Sequence, residues 1–203
     1  MSAPVERSNA DIREPAVTGQ RVQTAKPVRT ALSRARPPGV LDGGCPAGFA
    51  DLGTPEREVL ELLVVGGTDR AIAGALTAQP DEVSWYVRKL IKRVGHPTTR
   101  AGLVAIAVRH HLVDHPEPPH PGHLPDDAMA LLWSMASGQT FKTFAKETGA
   151  WEAERIRANL RNRLSDNLPP EHPATLTPGH TMYLSWPALA EEAGWSPGDS
   201  DRL

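Results

Sequence analysis

Two stretches of the sequence set arginine and lysine at the spacing that lines one face of an α-helix, with apolar residues on the other. In the first, Val83, Val87, Leu90, Ile91 and Val94 share a face at 100° per residue. The opposite face presents Trp85, Arg88, Lys89 and Lys92, with Ser84 at its edge. Guanidinium and ammonium groups placed this way can bond guanine edges or phosphates in the major groove of double-stranded DNA, and an indole can touch a thymine methyl or a phosphate. An ordinary solvated helix face has the same composition. The pattern therefore points to nucleic acid only where a helix-turn-helix sets the helix on the surface. In the second stretch Ile156, Leu160 and Leu164 face inward, Arg157, Arg161 and Asn162 face outward, and Arg155 and Arg163 flank them.

Elsewhere, chemistry-bearing residues lack the company that makes a site. His110, His111, His115, His120 and His123 gather with Asp114. Metal ligands must converge from a rigid frame, and this segment offers only a helix end and a proline-rich coil. A helix C-terminus whose dipole favours imidazolium is the simpler account. The single cysteine, Cys45, lies between Gly44 and Pro46 without a basic or histidine neighbour, and excludes both an internal disulfide and a cysteine-based zinc site. No phosphate loop, GxGxxG, GxSxG or HExxH occurs. A non-enzyme without cofactor or metal is expected. Trp133, Trp151 and Trp186 are expected to pack in the core or between units, and Trp85 to point outward.

The elements that must position these faces follow from composition and period. Of 203 residues, 5% are aromatic and 39% hydrophobic, with 20 prolines and 17 glycines. That mix is too poor in strand formers for a β-sandwich and suits an all-α chain of small helical cores. No run of 18 apolar residues offers a membrane span, and Met1 to Ala10 has no apolar core for a secretory signal, so a cytoplasmic location is expected. The net charge of −2 is unevenly spread: five basic residues between Arg21 and Arg36 meet no acid, whereas Pro169 to Leu203 holds five acids against Arg202 alone.

Residues 1–50, punctuated by proline and glycine, read as a disordered basic tail. Residues 51–113 carry four apolar stripes of helical period. These are Val59, Leu60, Leu62 and Leu63; then Ile72, Ala73 and Leu76; then the stripe headed by Val83; then Leu103, Val104, Ile106 and Ala107. Residues 114–123 (DHPEPPHPGH) read as a semi-rigid Pro/His linker. Residues 124–186 form a second helical unit and 187–203 an acidic tail, with the pattern of Thr181 to Trp195 not deciding its own structure.

The two helical blocks read as an internal repeat. Leu52, Leu60, Gly66, Thr68, Arg70 and Ala73 correspond to Leu124, Leu132, Gly138, Thr140, Lys142 and Ala145, an offset of 72. One extra residue then brings Val83, Val87 and Ile91 onto Ile156, Leu160 and Leu164. Within each copy the second and third helices have helix-turn-helix spacing. A small residue allows close packing, a turn residue follows four positions on, and an apolar residue then seats the recognition helix. In the first copy these are Ala73, Thr77 and Val83; in the second, Ala145, Gly149 and Ile156.

On these residues the first block resembles the LuxR-type helix-turn-helix of bacterial transcription regulators. The match runs through Leu52, Glu56-Arg57-Glu58-Val59-Leu60, Gly66, Thr68-Asp69-Arg70, Ile72-Ala73, Leu76, Val83, Val87, Leu90, Arg93, Gly95 and Arg100, covering about 62 of 203 residues. The resemblance implies a four-helix DNA-binding domain over residues 52–113, its third helix entering the major groove through Ser84, Trp85, Arg88, Lys89 and Lys92. It also implies a homodimer through the last helix, at about 101–113. Residues 124–168 are a degenerate copy, assigned by internal similarity. Three departures stand out. Ser84 replaces a DNA-contacting lysine, Asp81 and Glu82 sit where a phosphate is normally welcomed, and the loop before Arg100 is one residue longer. About 50 residues precede the block, so a receiver or sensor domain is not expected ahead of it.

The expected fold is all-α: two tandem small helix-turn-helix bundles with a disordered N-terminal tail. The expected function is a DNA-binding transcriptional regulator, with the basic tail assisting through phosphates. The alternative is an adaptor whose eroded recognition helices bind a protein partner, such as another regulator or the transcription machinery.

Overall fold

Threonine caps and left-handed glycines set the helix borders in the computed structural model, which describes residues 46–95, 98–166, 168 and 176–195. The regular structure among these residues is helical: α1 (Thr54–Val64), α2 (Asp69–Leu76), α3 (Pro80–Arg93), α4 (Arg100–Arg109), α5 (Asp126–Ala136), α6 (Phe141–Thr148), α7 (Ala150–Asp166) and α8 (Pro178–Ala193), preceded by a 3-10 turn at Ala47–Phe49. The bounds of α5 and α6 are those of α1 and α2 shifted by 72 residues. The same residue types do the same local work in both copies. Gly66 and Gly138 follow α1 and α5 with φ of 97° and 83°, a conformation glycine adopts without the Cβ penalty. Two residues on, Thr68 Oγ1 accepts the Ala71 N–H and Thr140 Oγ1 the Thr143 N–H, both at 3.2 Å. Thr99 and Thr177 cap α4 and α8 in the same way.

The copies differ at the turn between their second and third helices. Thr77 takes a left-handed φ of 54°, and Pro80 opens α3 after a three-residue connection. In the second copy Gly149, with φ 98°, is the whole connection, and α7 starts at Ala150. The extra residue of that copy thus lies within a longer helix rather than a longer loop.

Hydrophobic residues of both copies join in one cluster. At its centre lie α4 and α8, whose mutual contact is the most extensive between any two helices. Ala101 to Val108 are buried without interruption, as are Gly179 to Ser185, the signature of helices enclosed on all sides. The other contacts between copies are reciprocal, with α4 packing on α5 and α8 on α1. Glycines permit the approach in both places. A Cβ on Gly66, after α1, would overlap the His180 ring on α8, and one on Gly102, in α4, would sit 3.1 Å from the Gly138 Cα after α5.

This packing redraws several expected borders. Phe49 is 4% exposed and sits in the core, so residues 46–50 belong to the first unit; residues 1–45 lie outside the described residues. Nor does the acidic tail start at 187. Helix α8 runs through Pro187 and buries Ala188 and Leu189, because apolar burial on both sides of the proline outweighs its breaking tendency. The helix expected as a homodimer surface, at about 101–113, is covered within the chain by α8. The linker at 114–123 is non-helical and laid along α8: the Tyr183 hydroxyl donates to the Pro116 carbonyl, and Pro118 is buried.

Glycine substitutions test this frame. Gly66→Ala combines a left-handed φ with overlap on His180 and is expected to lower unfolding free energy by about 2–4 kcal/mol. Gly74→Ala, at an exposed helical site with nothing within 4 Å of a new Cβ, is expected to raise it by about 0.5–1 kcal/mol. Urea titrations of the two variants check both signs.

Candidate functional site

The basic face of α3 is held in place by a buried carboxylate. Glu56, in the first turn of α1, is 3% exposed. It accepts the Gly53 N–H at 3.1 Å and pairs with Lys89 at 2.8 Å and Arg93 at 2.9 Å. Arg93 also donates to the carbonyls of Gly48 and Asp51, at 2.8 and 3.4 Å. The cluster thus joins the entry segment, α1 and α3. Burial pushes the Glu56 carboxyl upward, but hydrogen bonds from Lys89 and Gly53, with Arg93, outweigh it and hold the group below its ordinary value. Glu56 was visible in the sequence only as part of a resemblance. Its place three residues after Gly53, at the start of a helix, was the available signal.

With Val83, Val87 and Leu90 buried, α3 turns its other side outward. Arg88 and Lys92 are exposed and make no hydrogen bond or ion pair among the described residues. Trp85 is 50% exposed, edge-on to Tyr86 at 4.9 Å. Ser84 is half-buried at the edge. Lys89 lies 5.1 Å from the Trp85 ring centroid but points its ammonium at Glu56, so it is less available than its neighbours. Asp81 and Glu82 are exposed at the helix start, complementing the dipole and presenting negative charge beside the basic face.

On α7 the three expected residues face outward, and of the three only Arg157 is committed to a partner. Arg157 pairs with Glu154 at 2.5 Å and lies 4.3 Å from the Phe141 ring centroid. Arg155 pairs with Glu152 at 2.5 Å and Asp127 at 3.2 Å, and its hydrogen bond to Glu152 holds that carboxyl below its ordinary value. Arg163 donates to the His123 carbonyl at 3.1 Å. Arg161 is half-exposed and Asn162 exposed, each without a hydrogen bond or ion pair among the described residues. Trp151, expected in packing, is 77% exposed at the start of α7, because the early start of that helix carries it beyond the core.

The repeat supplies its own comparison. Ala128, Asn162 and Asp166 occupy the positions of Glu56, Lys89 and Arg93. The ion cluster is absent there, and a cleft of about 460 Å³ lies between α5 and α7, lined by Asp127, Ala128, Arg155, Ile156, Asn162 and Asp166 among others. Arg163 takes over the bond to the carbonyl of residue 123, which corresponds to residue 51.

Trp133 and Trp186 pack as expected, and Trp195 joins them. Trp195 stacks on Trp186 at 5.5 Å and meets Trp133 edge-on at 5.9 Å, with the Arg109 guanidinium 3.8 Å from its centroid. Trp133 Nε1 donates to Glu192 at 2.8 Å, tying the end of α8 to α5. Among the described residues no three His, Cys, Asp or Glu side chains are placed to hold a metal ion. His110 is held below its ordinary value by burial first, then by Arg109 and His111.

The Glu56 cluster has a pH signature. Its depressed folded value means that its stabilisation is present above the ordinary value of 4.5 and is lost as pH falls through the folded value. Glu56→Gln is expected to cost about 1–3 kcal/mol near neutral pH. It should also flatten the acid limb of a stability profile from about pH 7 to about pH 3. An unchanged acid limb in the variant counts against Glu56 as its source. No protein-family model, curated protein or solved structure matches the chain.

Proposed function

We propose that the chain is a DNA-binding transcriptional regulator that reads double-stranded DNA through two tandem helix-turn-helix units, as its resemblance to LuxR-type regulators implies. The observation that supports this most is the division of α3. Val83, Val87 and Leu90 are locked into the core, while Arg88 and Lys92 stand open on the far side of the helix that follows the left-handed Thr77. A helix anchored along one side and basic along the other suits the major groove, with Arg88 and Lys92 reaching phosphates or guanine edges and Trp85 an apolar base edge. Ser84 and Lys89 flank this contact, and Arg157, Arg161 and Asn162 form the corresponding face of α7. The basic residues Arg21 to Arg36 add phosphate contacts. The reading needs no catalysis, cofactor or metal and places the protein in the cytoplasm. No described helix is long and apolar enough to cross a membrane.

Two observations favour a second reading, a non-enzymatic adaptor. Trp85 and Trp151 are both exposed, Asp81 and Glu82 oppose phosphate, and exposed indoles are common anchors at protein interfaces.

Incubation with fragmented genomic DNA, followed by sequencing of what binds, is expected to enrich fragments sharing a motif. Affinity should fall steeply with salt, since each neutralised phosphate releases counterions. Recovery without a shared motif supports charge-driven binding alone, and no recovery at low salt favours the adaptor. Arg88→Ala/Lys92→Ala should weaken binding with the circular dichroism unchanged. Unchanged affinity removes these two residues from the interface.

A further inference from the structure

The contacts between the two units have the form of a two-fold interface closed within one chain. A two-fold contact is self-complementary: if one surface of the first unit meets another surface of the second, the reverse also holds. Here α4 meets α8, the fourth helix of the second unit as α4 is of the first, α4 meets α5, and α8 meets α1, the counterpart of α5. The glycines repeat this reciprocity, Gly66 against α8 and Gly138 against α4 at Gly102. Both central helices are buried along most of their length, so the seam has no face left for a second copy.

The outward faces do not share this symmetry. Arg88 and Lys92 on α3 carry charge that no acid among the described residues engages. On α7, Arg155 and Arg157 are held by Glu152, Asp127 and Glu154, leaving Arg161 and Asn162 open. Recruiting a held arginine to a phosphate leaves its acid partner facing the same polyanion, so the return on each contact is smaller. The buried ion cluster that joins α1 to α3 is replaced between α5 and α7 by a solvent-facing pair, Arg155 with Asp127.

We propose that one chain occupies one DNA site as an internal pair, with α3 the principal reader and α7 the subordinate one. This rests on the DNA-binding reading above. Its target would be an asymmetric duplex site rather than two equivalent half-sites read by two chains.

The test uses the full chain and the duplex recovered from the genomic selection, or random-sequence duplex if no motif emerges. Sedimentation is expected to give a free mass near the 21.9 kDa of one chain, and one chain per duplex of site length. Arg88→Ala/Lys92→Ala should lower affinity at least about tenfold and reduce the salt slope by about two. Arg157→Ala/Arg161→Ala should lower affinity less than about threefold, with a slope change below about one. A free dimer, two chains per duplex, or equal losses in the two double variants would overturn the proposal. Absence of binding by the parent chain overturns the DNA reading itself, and the free mass then still distinguishes an internal pair from a two-chain dimer.

Discussion

Ala101 to Val108 of α4 and Gly179 to Ser185 of α8 are buried against one another and against their neighbours, and the rest of the molecule is organised around that contact. All helices except α2 and α6 touch this pair directly, and those two lean on the helices that do. Close approach is what the seam requires, and small residues meet the requirement: Ala101, Gly102, Ala105 and Ala107 on α4, and Gly179 and Ser185 on α8. A side chain added at Gly66 would press into His180 of the opposite unit, and one at Gly102 into Thr98 of its own unit and against Gly138 of the other. The outward placement of α3 and α7 follows, since each packs between its own first two helices and the central pair, leaving one side for solvent.

Within that shared frame the two units spend their charge differently. In the first, Glu56 draws Lys89 and Arg93 inward, binding α3 to α1 and to the carbonyls of Gly48 and Asp51. This arrangement uses two cations for anchorage and leaves Arg88 and Lys92 for solvent. The second unit has alanine in place of the carboxylate, so nothing calls its cations inward. Arg155 and Arg157 are instead matched by acids on the surface, along α7 itself and from Asp127. One backbone, two charge economies, and unequal outer faces result.

Much of this was legible in the sequence because it depends on period and on local backbone chemistry. The wheel placing Val83, Val87 and Leu90 inward needs only 100° per residue, and the Gly66 and Gly138 turns need only a residue free to adopt positive φ. What depended on tertiary contact was not legible. Phe49 is a lone aromatic in a proline- and glycine-rich string, and nothing local says that a core awaits it. Pro187 reads as a helix end unless the burial of Met182, Leu184, Ala188 and Leu189 around it is known. Apolar residues all round α4 are compatible with a partner from another chain as much as from the same one. The pairing of Arg155 and Arg157 with Glu152 and Glu154 was within reach, since residues three apart are neighbours on a helix. Counting cations on a face without the acids beside them hid it.

The linker laid along α8 has a thermodynamic consequence. In a dimer of separate chains, the interface must be formed against dilution, and stability depends on protomer concentration. Here the chain itself, through residues 114–123, keeps the second unit near the first, at an effective concentration on the order of millimolar even for a short flexible connection. Tyr183, holding the Pro116 carbonyl, and the buried Pro118 restrict that connection further. Closing the seam is therefore a first-order event, as complete in a cell holding a few copies as in one holding thousands.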